Sequence, residues 1–156
     1  MRVWDIPPSE LCRRHLLGEH AEVHAVWSII TKNLIGYSNH PEVVRWRGKL
    51  AALYSRHQQI VEEMEGRGYS HTSPLDERLA TGRRVQLDFV NTPEEERRLL
   101  LWKSCECKHS LRKLQGSRWG SSPIRVLKDV EDISESLDIR ESVVRSIMRG
   151  LREVPA

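Results

Sequence analysis

The chain has little of several features on which small proteins often depend. It carries one Phe and three cysteines, and no apolar run approaches the roughly 20 residues that cross a membrane. An odd number of cysteines argues against a disulfide framework and favours reduced thiols. No secretory signal opens the chain. We therefore expect a cytoplasmic protein without a membrane anchor.

The composition that is present suits a folded domain with a mildly basic surface. Apolar residues make up 38% of the 156 residues, which is enough for one core, and five Trp must supply much of the large apolar area. The length fits one domain, or one domain with a small appended module. The formal charge of +3 permits nucleic-acid binding without requiring it.

Helical periodicity dominates the first half of the sequence. Apolar residues recur at helical spacing from Ser9 to about Leu34, and Gly18 predicts a bend within that helix. A second, longer helix is predicted from Pro41 to Gly66, because its apolar residues form one stripe with steps of three and four. Proline suits the first helical turn and glycine suits the stop.

Turn-forming residues fill positions 69–91, where only Val85 to Val90 alternates enough to predict a short strand. A helix start follows, with Thr92 as the N-cap and Glu95 closing a capping box. This helix is expected to end near Ser104.

The C-terminal part is predicted to be a separate helical extension. Residues 116–122 are rich in Gly and Ser and predict a linker, and residues 123–156 contain two short helical patterns. The two patterns fit a helix-turn-helix, although helical hairpins that bind nothing share them. The predicted fold is therefore mainly α: a helical domain over residues 1–115, the linker, and the extension.

Several separated motifs occur in a fixed order in the first half of the chain. Residues 9–22 contain Ser-Glu-Leu, His-Leu and two glutamates, Glu19 and Glu22. The opening MRVWD, the string GYSNHPEVVRW at 36–46 and the string RGYSHTSPL at 67–75 accompany them. Together these motifs resemble the phage endonuclease V family of pyrimidine-dimer glycosylases. The opening MRVWD and the two longer strings resemble in particular the bacterial and archaeal branch of that family. The resemblance covers residues 1 to about 80, and it implies a compact helical fold of that type.

The resemblance also implies a reaction. In that family a free N-terminal amine attacks C1′ of the damaged nucleotide, expels the base and forms a Schiff base, and β-elimination then nicks the strand. Met1 falls at the position of the nucleophile and Glu22 at that of the assisting carboxylate. Because Arg2 is too large to allow removal of the initiator Met, Met1 is expected to remain. An α-amine has a reference pKa of about 8, so roughly a tenth of it is unprotonated near neutral pH.

Further residues are candidates for contact with DNA by their charge, aromatic character or position near the reacting end of the chain. They are Arg2, His15, His20, His24, Tyr37, His40, Arg45, Arg47, Lys49 and Trp119. A structural hydrogen-bonding role is an equal alternative for each of the three histidines of the first helix. Two of these, four residues apart, also have a metal-binding spacing, but without a nearby third ligand we predict no metal and no cofactor.

Two departures from the family bear on the substrate. Relatives carry DNA-contacting arginines where this chain has Ala21 and Ala25. An abasic-site lyase, or a glycosylase for another damaged base, therefore remains open beside a pyrimidine-dimer enzyme.

The predicted function is a monomeric, nucleoid-associated DNA-repair glycosylase and AP lyase that acts on damaged double-stranded DNA. The alternative is a non-enzymatic DNA-binding regulator that uses the C-terminal helix-turn-helix-like unit.

Overall fold

The computed structural model describes residues 1–110. The chain divides into two compact units, Met1–Glu96 and Arg97–Ala156, and the second is described only as far as residue 110. The predicted linker at 116–122, the extension at 123–156 and Trp119 lie outside the described residues. The predictions made for them, including the helix-turn-helix, therefore stay predictions.

The described residues are helical, as the sequence predicts, and they contain no strand. The only sheet-like feature among them is an isolated bridge between Lys49 and Gly82. No helix in this part of the chain is long and apolar enough to span a bilayer. The elements are α1 (Arg13–Thr31), α2 (Pro41–Trp46), α3 (Leu50–Gly66) and α4 (Pro93–Leu101), with 3-10 turns at Pro8–Glu10 and Glu77–Leu79.

The first helix begins later than predicted and has no break. A 3-10 turn follows Pro7, and the chain is then extended at Leu11 (φ −86°, ψ 140°) and at Cys12 (φ −72°, ψ 167°). The chain leaves the helical conformation at these two residues, and α1 therefore starts at Arg13 rather than Ser9. The helix runs through Gly18 without interruption, so this glycine does not break it.

The predicted long helix from 41 to 66 is two helices. Its ends are as expected, since α2 begins with Pro41 behind the N-cap His40 and α3 ends at Gly66. Between them Arg47 is extended and Gly48 takes a positive φ of 70°, a conformation that glycine adopts without strain. The chain therefore turns after α2 and restarts as α3.

A distant glycine explains why the break is stable. Gly82 (φ 83°) passes so close that a Cβ on it would lie 2.1 Å from the carbonyl oxygen of Gly48. The same segment supplies carbonyl groups to the free N–H groups at the start of α3: Ala51 N donates to Thr81 O (2.9 Å). Helix starts leave such donors unpaired, so residues 81–83 take the place of a preceding turn.

The predicted strand from Val85 to Val90 is wrong. Val85 is 62% exposed and Leu87 is 72% exposed, and no strand partner lies among residues 1–110. A side-chain hydrogen bond holds this segment in place of a β-ladder: Gln86 Nε2 donates to Arg45 O at 2.7 Å.

The start of α4 is the one that the sequence predicts. Thr92 N donates to Glu95 Oε2 (2.8 Å), and Glu95 N donates to Thr92 Oγ1 (3.3 Å), which is a reciprocal capping box. The helix ends at Leu101, three residues before the predicted end, and a turn follows in which Lys103 N donates to Leu100 O.

The core of the first unit lies between α1 and α3. Leu16, Val23 and Val26 of α1 are fully buried with Leu53 and Ile60 of α3. Full burial of one such side chain contributes about 1.5–3 kcal/mol. The N-terminal segment joins this core through three further side chains that are at most 4% exposed: Val3, Trp4 and Ile6. The start of the chain is thereby drawn onto the helices.

Candidate active site

The N-terminal segment, residues 1–6, has no regular secondary structure and is held by side chains. Four consecutive residues each give one backbone group to a different helix. Val3 O accepts from Arg45 of α2 (2.7 Å), Trp4 N donates to Glu19 of α1 (3.0 Å), Asp5 N donates to Glu96 of α4 (2.6 Å), and Ile6 O accepts from Arg56 of α3 (2.9 Å). Buried backbone groups must find such partners. The direction in which the segment runs is therefore fixed.

The segment ends with its amine beside a carboxylate of α1. The nitrogen of Met1 lies 3.7 Å from Glu22 Oε1, and the Met1 side chain is only 9% exposed. Glu22 follows Glu19 by three residues, which puts the two side chains on neighbouring parts of the helix surface. The structure thus brings together the two residues that the sequence predicts as catalytic.

The 3.7 Å separation is chemically useful. It is longer than a typical N–H···O hydrogen bond of about 2.7–3.2 Å, but it remains within ion-pair range. A carboxylate at this distance stabilises positive charge on the amine nitrogen without locking the amine in a short hydrogen bond. The Glu22 side chain is 36% exposed, so solvent reaches it.

Glu19 and Arg56 are positioning residues that the sequence analysis did not identify. Glu19 is almost completely buried, accepts from Arg56 Nε at 2.8 Å and also holds the backbone of Trp4. Burial raises the pKa of Glu19 to about 7, although Arg56 and the Trp4 N–H lower it. The sequence did offer a signal for Glu19, because this glutamate lies at a helix position flanked by core residues. Acids are rarely buried unless they are paired, so a partner could have been expected.

Two cations that were predicted to contact DNA lie inside the fold. Arg45 is 6% exposed and pairs with Asp5 at 2.8 Å and with Glu42 at 2.6 Å. Lys49 is 7% exposed, donates to Arg45 O at 2.8 Å and pairs with Asp88. Desolvated cations need such partners. Both side chains are therefore turned toward protein groups and not toward the surface.

Three other predicted residues form a group around the start of α2, in which Tyr37 and Arg47 are exposed and His40 is half-buried. Tyr37 is 72% exposed and takes a positive φ of 59°, and its ring centroid lies 6.3 Å from that of His40. His40 caps α2, because its Nδ1 accepts from Glu42 N at 3.1 Å. Arg47 is exposed and donates to Ser38 O at 2.8 Å. This group keeps an aromatic ring and a guanidinium at the surface.

Arg2, which was also predicted to contact DNA, is engaged within the fold. Its Nη1 donates to Asn91 Oδ1 at 2.9 Å and lies 3.6 Å from Glu96, and its guanidinium lies over the Trp4 ring at 5.1 Å. These contacts place a fixed positive charge on the residue next to Met1.

The predicted histidines of α1 separate into two environments. His15 packs edge-on against Trp4, with ring centroids 5.6 Å apart. His20 and His24 instead face His57 of α3 and His71 of the following segment. His24 Nε2 and His57 Nε2 lie 3.1 Å apart.

Burial lowers the pKa of three of these rings. It lowers the pKa of His20 to about 4 and that of His57 to about 3, and it also lowers the pKa of His24. The neighbouring histidines lower these pKa values further. His20 and His57 are therefore neutral at physiological pH. His57 and His71 were not singled out from the sequence, although a histidine within the apolar stripe of α3 was a visible signal.

A surface concavity of about 680 Å³ lies elsewhere in the first unit. It is lined by residues that include Asp5, Pro8, Arg56, Glu62 and Arg67, and neither Met1 nor Glu22 is among them. Its lining includes the exposed Glu62 and also Glu63, which pairs with Arg67 at 2.6 Å.

Comparison with known proteins gives one match. Residues 1–77 match the model of a family described as pyrimidine dimer DNA glycosylase. No curated protein and no solved structure matches the chain. The matched range contains Met1, Glu19 and Glu22, and it agrees with the resemblance seen in the motifs.

Proposed function

We propose that this chain, whose residues 1–77 belong to the pyrimidine dimer DNA glycosylase family, is a DNA-repair glycosylase and AP lyase that reacts through the amine of Met1. The family itself implies DNA repair and DNA binding. The single observation that supports the finer mechanism is the 3.7 Å separation between the Met1 nitrogen and Glu22 Oε1.

The proposed reaction begins with the unprotonated amine. Its nitrogen bonds to C1′ of the damaged nucleotide, the glycosidic bond breaks with its electron pair leaving on the base, and the base takes up a proton. Opening of the sugar ring then gives a cationic imine. Removal of a proton from C2′ allows the 3′ phosphate to leave by β-elimination, and water finally releases the sugar from Met1.

Glu22 has two roles in this scheme. Its carboxylate stabilises the cationic imine nitrogen, and its exposed edge accepts and returns the protons that the steps require. The reacting sugar can contact the Met1 amine only if the nucleotide leaves the base stack. We therefore propose damaged double-stranded DNA, either pyrimidine dimers or abasic sites, as the substrate of a monomeric enzyme.

The group of Tyr37, His40 and Arg47 around the start of α2 is the best-placed candidate for holding the DNA backbone. It offers an aromatic face and a free guanidinium edge, which are the groups that contact sugars and phosphates. Arg45 and Lys49 support the fold in this proposal and do not touch DNA.

Borohydride trapping on a duplex with one abasic site tests the proposal. Borohydride reduces a Schiff base to a stable amine, so the wild-type chain should become covalently attached to the DNA. Intact mass of the purified protein first establishes that Met1 carries a free amine. Glu22→Gln should still bind this duplex but nick it about 10²–10⁴ times more slowly.

Glu62→Gln, which neutralises an exposed acid of α3, is the matched control and should trap and nick as the wild type does. Failure of the wild type to become attached would refute the lyase mechanism and favour a DNA-binding regulator. Unchanged nicking by Glu22→Gln would remove that carboxylate from the mechanism.

A further inference from the structure

We propose that His20, His24, His57 and His71 bind a transition-metal ion, with Zn²⁺ as the first candidate, and that the ion joins α1, α3 and the segment after α3. Each of the four rings offers a nitrogen, and the four nitrogens lie within 4.8 Å of one another. This site is independent of the Met1–Glu22 pair.

The geometry is close to that of a tetrahedral site. Zinc–nitrogen bonds of about 2.0–2.1 Å place tetrahedral ligand nitrogens about 3.3 Å apart. The nitrogens of His24 and His57 are already 3.1 Å apart. Centroid distances among the rings of the four histidines run from 4.6 to 5.2 Å. Shifts of about 1 Å would bring the remaining nitrogens to a shared ion.

The chemistry of the cluster selects the kind of ion. Four imidazoles suit Zn²⁺, Cu²⁺ or Ni²⁺, whereas Ca²⁺ and Mg²⁺ prefer oxygen ligands. Metals bind the neutral form of imidazole. One ring nitrogen of the cluster, His20 Nε2, is buried and has no hydrogen-bond partner. A bound cation would supply the partner that this nitrogen lacks.

The position of the site indicates a structural role. His20 and His24 lie one turn apart on α1, and Glu22 between them is turned to another side of the helix, because successive residues rotate by about 100°. Four protein ligands leave no open coordination position, which is typical of structural and not catalytic zinc. The ion would hold α1 from one side while the N-terminal segment meets it from another, and His71 would fasten the segment that follows α3.

Metal content of the full, untagged chain tests this proposal. The protein is stripped with a chelator, dialysed against Zn²⁺ and analysed for bound zinc and for thermal unfolding. The wild type should retain tightly bound zinc and gain Tm with it. His24→Asn and His71→Asn should each bind one ion fewer per chain, or bind it about tenfold or more weakly, and lose the zinc-dependent gain in Tm.

His40→Asn is the matched control, because asparagine can still cap α2 and His40 lies outside the cluster. It should bind as much zinc as the wild type. X-ray absorption of the zinc-loaded protein should show nitrogen ligands at about 2.0–2.1 Å. The signal from this nitrogen-ligated zinc should be lost in His71→Asn.

Three results would overturn the proposal: no zinc bound by the wild type, equal zinc content in the wild type and both cluster variants, or a purely sulfur shell at about 2.3 Å, which would place the ion on cysteines. The spectroscopic result does not depend on how stable the variants are, so a variant that fails to fold leaves the proposal testable.

Discussion

Lengthening the N-terminus by a single glycine should cripple the enzyme. One added residue moves the amine by up to about 3.5 Å, so its distance to Glu22 can grow from 3.7 Å to as much as about 7 Å. The chain cannot slide back to compensate, because two arginines hold Val3 O and Ile6 O, and a buried glutamate holds Trp4 N. The new amine is chemically similar to the old one and differs only in where it lies.

The size of the effect follows from the demands of positioning. A misplacement of 1 Å can reduce a rate by about 10²-fold, so a shift of several ångströms should reduce the rate of borohydride trapping by at least about that factor. Single-turnover trapping on an abasic duplex measures it. Binding to a duplex with a tetrahydrofuran analogue, which cannot form an imine, should be unchanged and serves as the control. Trapping at the wild-type rate would refute the assignment of a positioned amine.

Four further expectations concern the fold around the site. Arg45→Gln breaks a buried ion pair and should lower the free energy of unfolding in urea by about 3–5 kcal/mol; a stable variant with weakened DNA binding would contradict this. Arg47→Gln should leave stability unchanged and reduce the salt slope of DNA binding by about one, and an unchanged slope would remove it from the interface. Burial raises the pKa of Glu96 to about 8. The stabilising contribution of this group is therefore complete below about pH 4.5 and is lost as the pH rises through 8. In urea titrations, Glu96→Gln should flatten this decline in the free energy of unfolding with pH, and an unaltered decline would contradict the raised pKa. Gly82→Ala should cost more than about 2 kcal/mol and Gly18→Ala, in the open helix, should gain up to about 1 kcal/mol, with equal effects contradicting the close approach.

Local signals predicted the helices well where the chain carries its own start and stop residues. Pro41 and Gly66 lie at the ends that the sequence assigns, and Thr92 with Glu95 forms the expected capping box. The break at Gly48 was missed because a single glycine is tolerated within a helical pattern. Only the approach of Gly82, 34 residues away in the chain, makes the break necessary.

The candidate site shows the same division between local and distant information. Met1 and Glu22 were available from a motif that holds both, and the structure brings them together. A basic run beginning at Arg45 reads as a phosphate site, because nothing local reveals the carboxylates and carbonyl groups that surround it. His57 and His71 could not be joined to the histidines of α1 without the packing of α3 against that helix.

The position of the covalent bond in the borohydride-trapped complex tests the central claim most directly. After nuclease and trypsin digestion, mass spectrometry of the peptides should find the reduced sugar remnant on the α-amine of the N-terminal peptide, Met1-Arg2. A remnant on a lysine side chain, with the N-terminal peptide unmodified, would contradict the account.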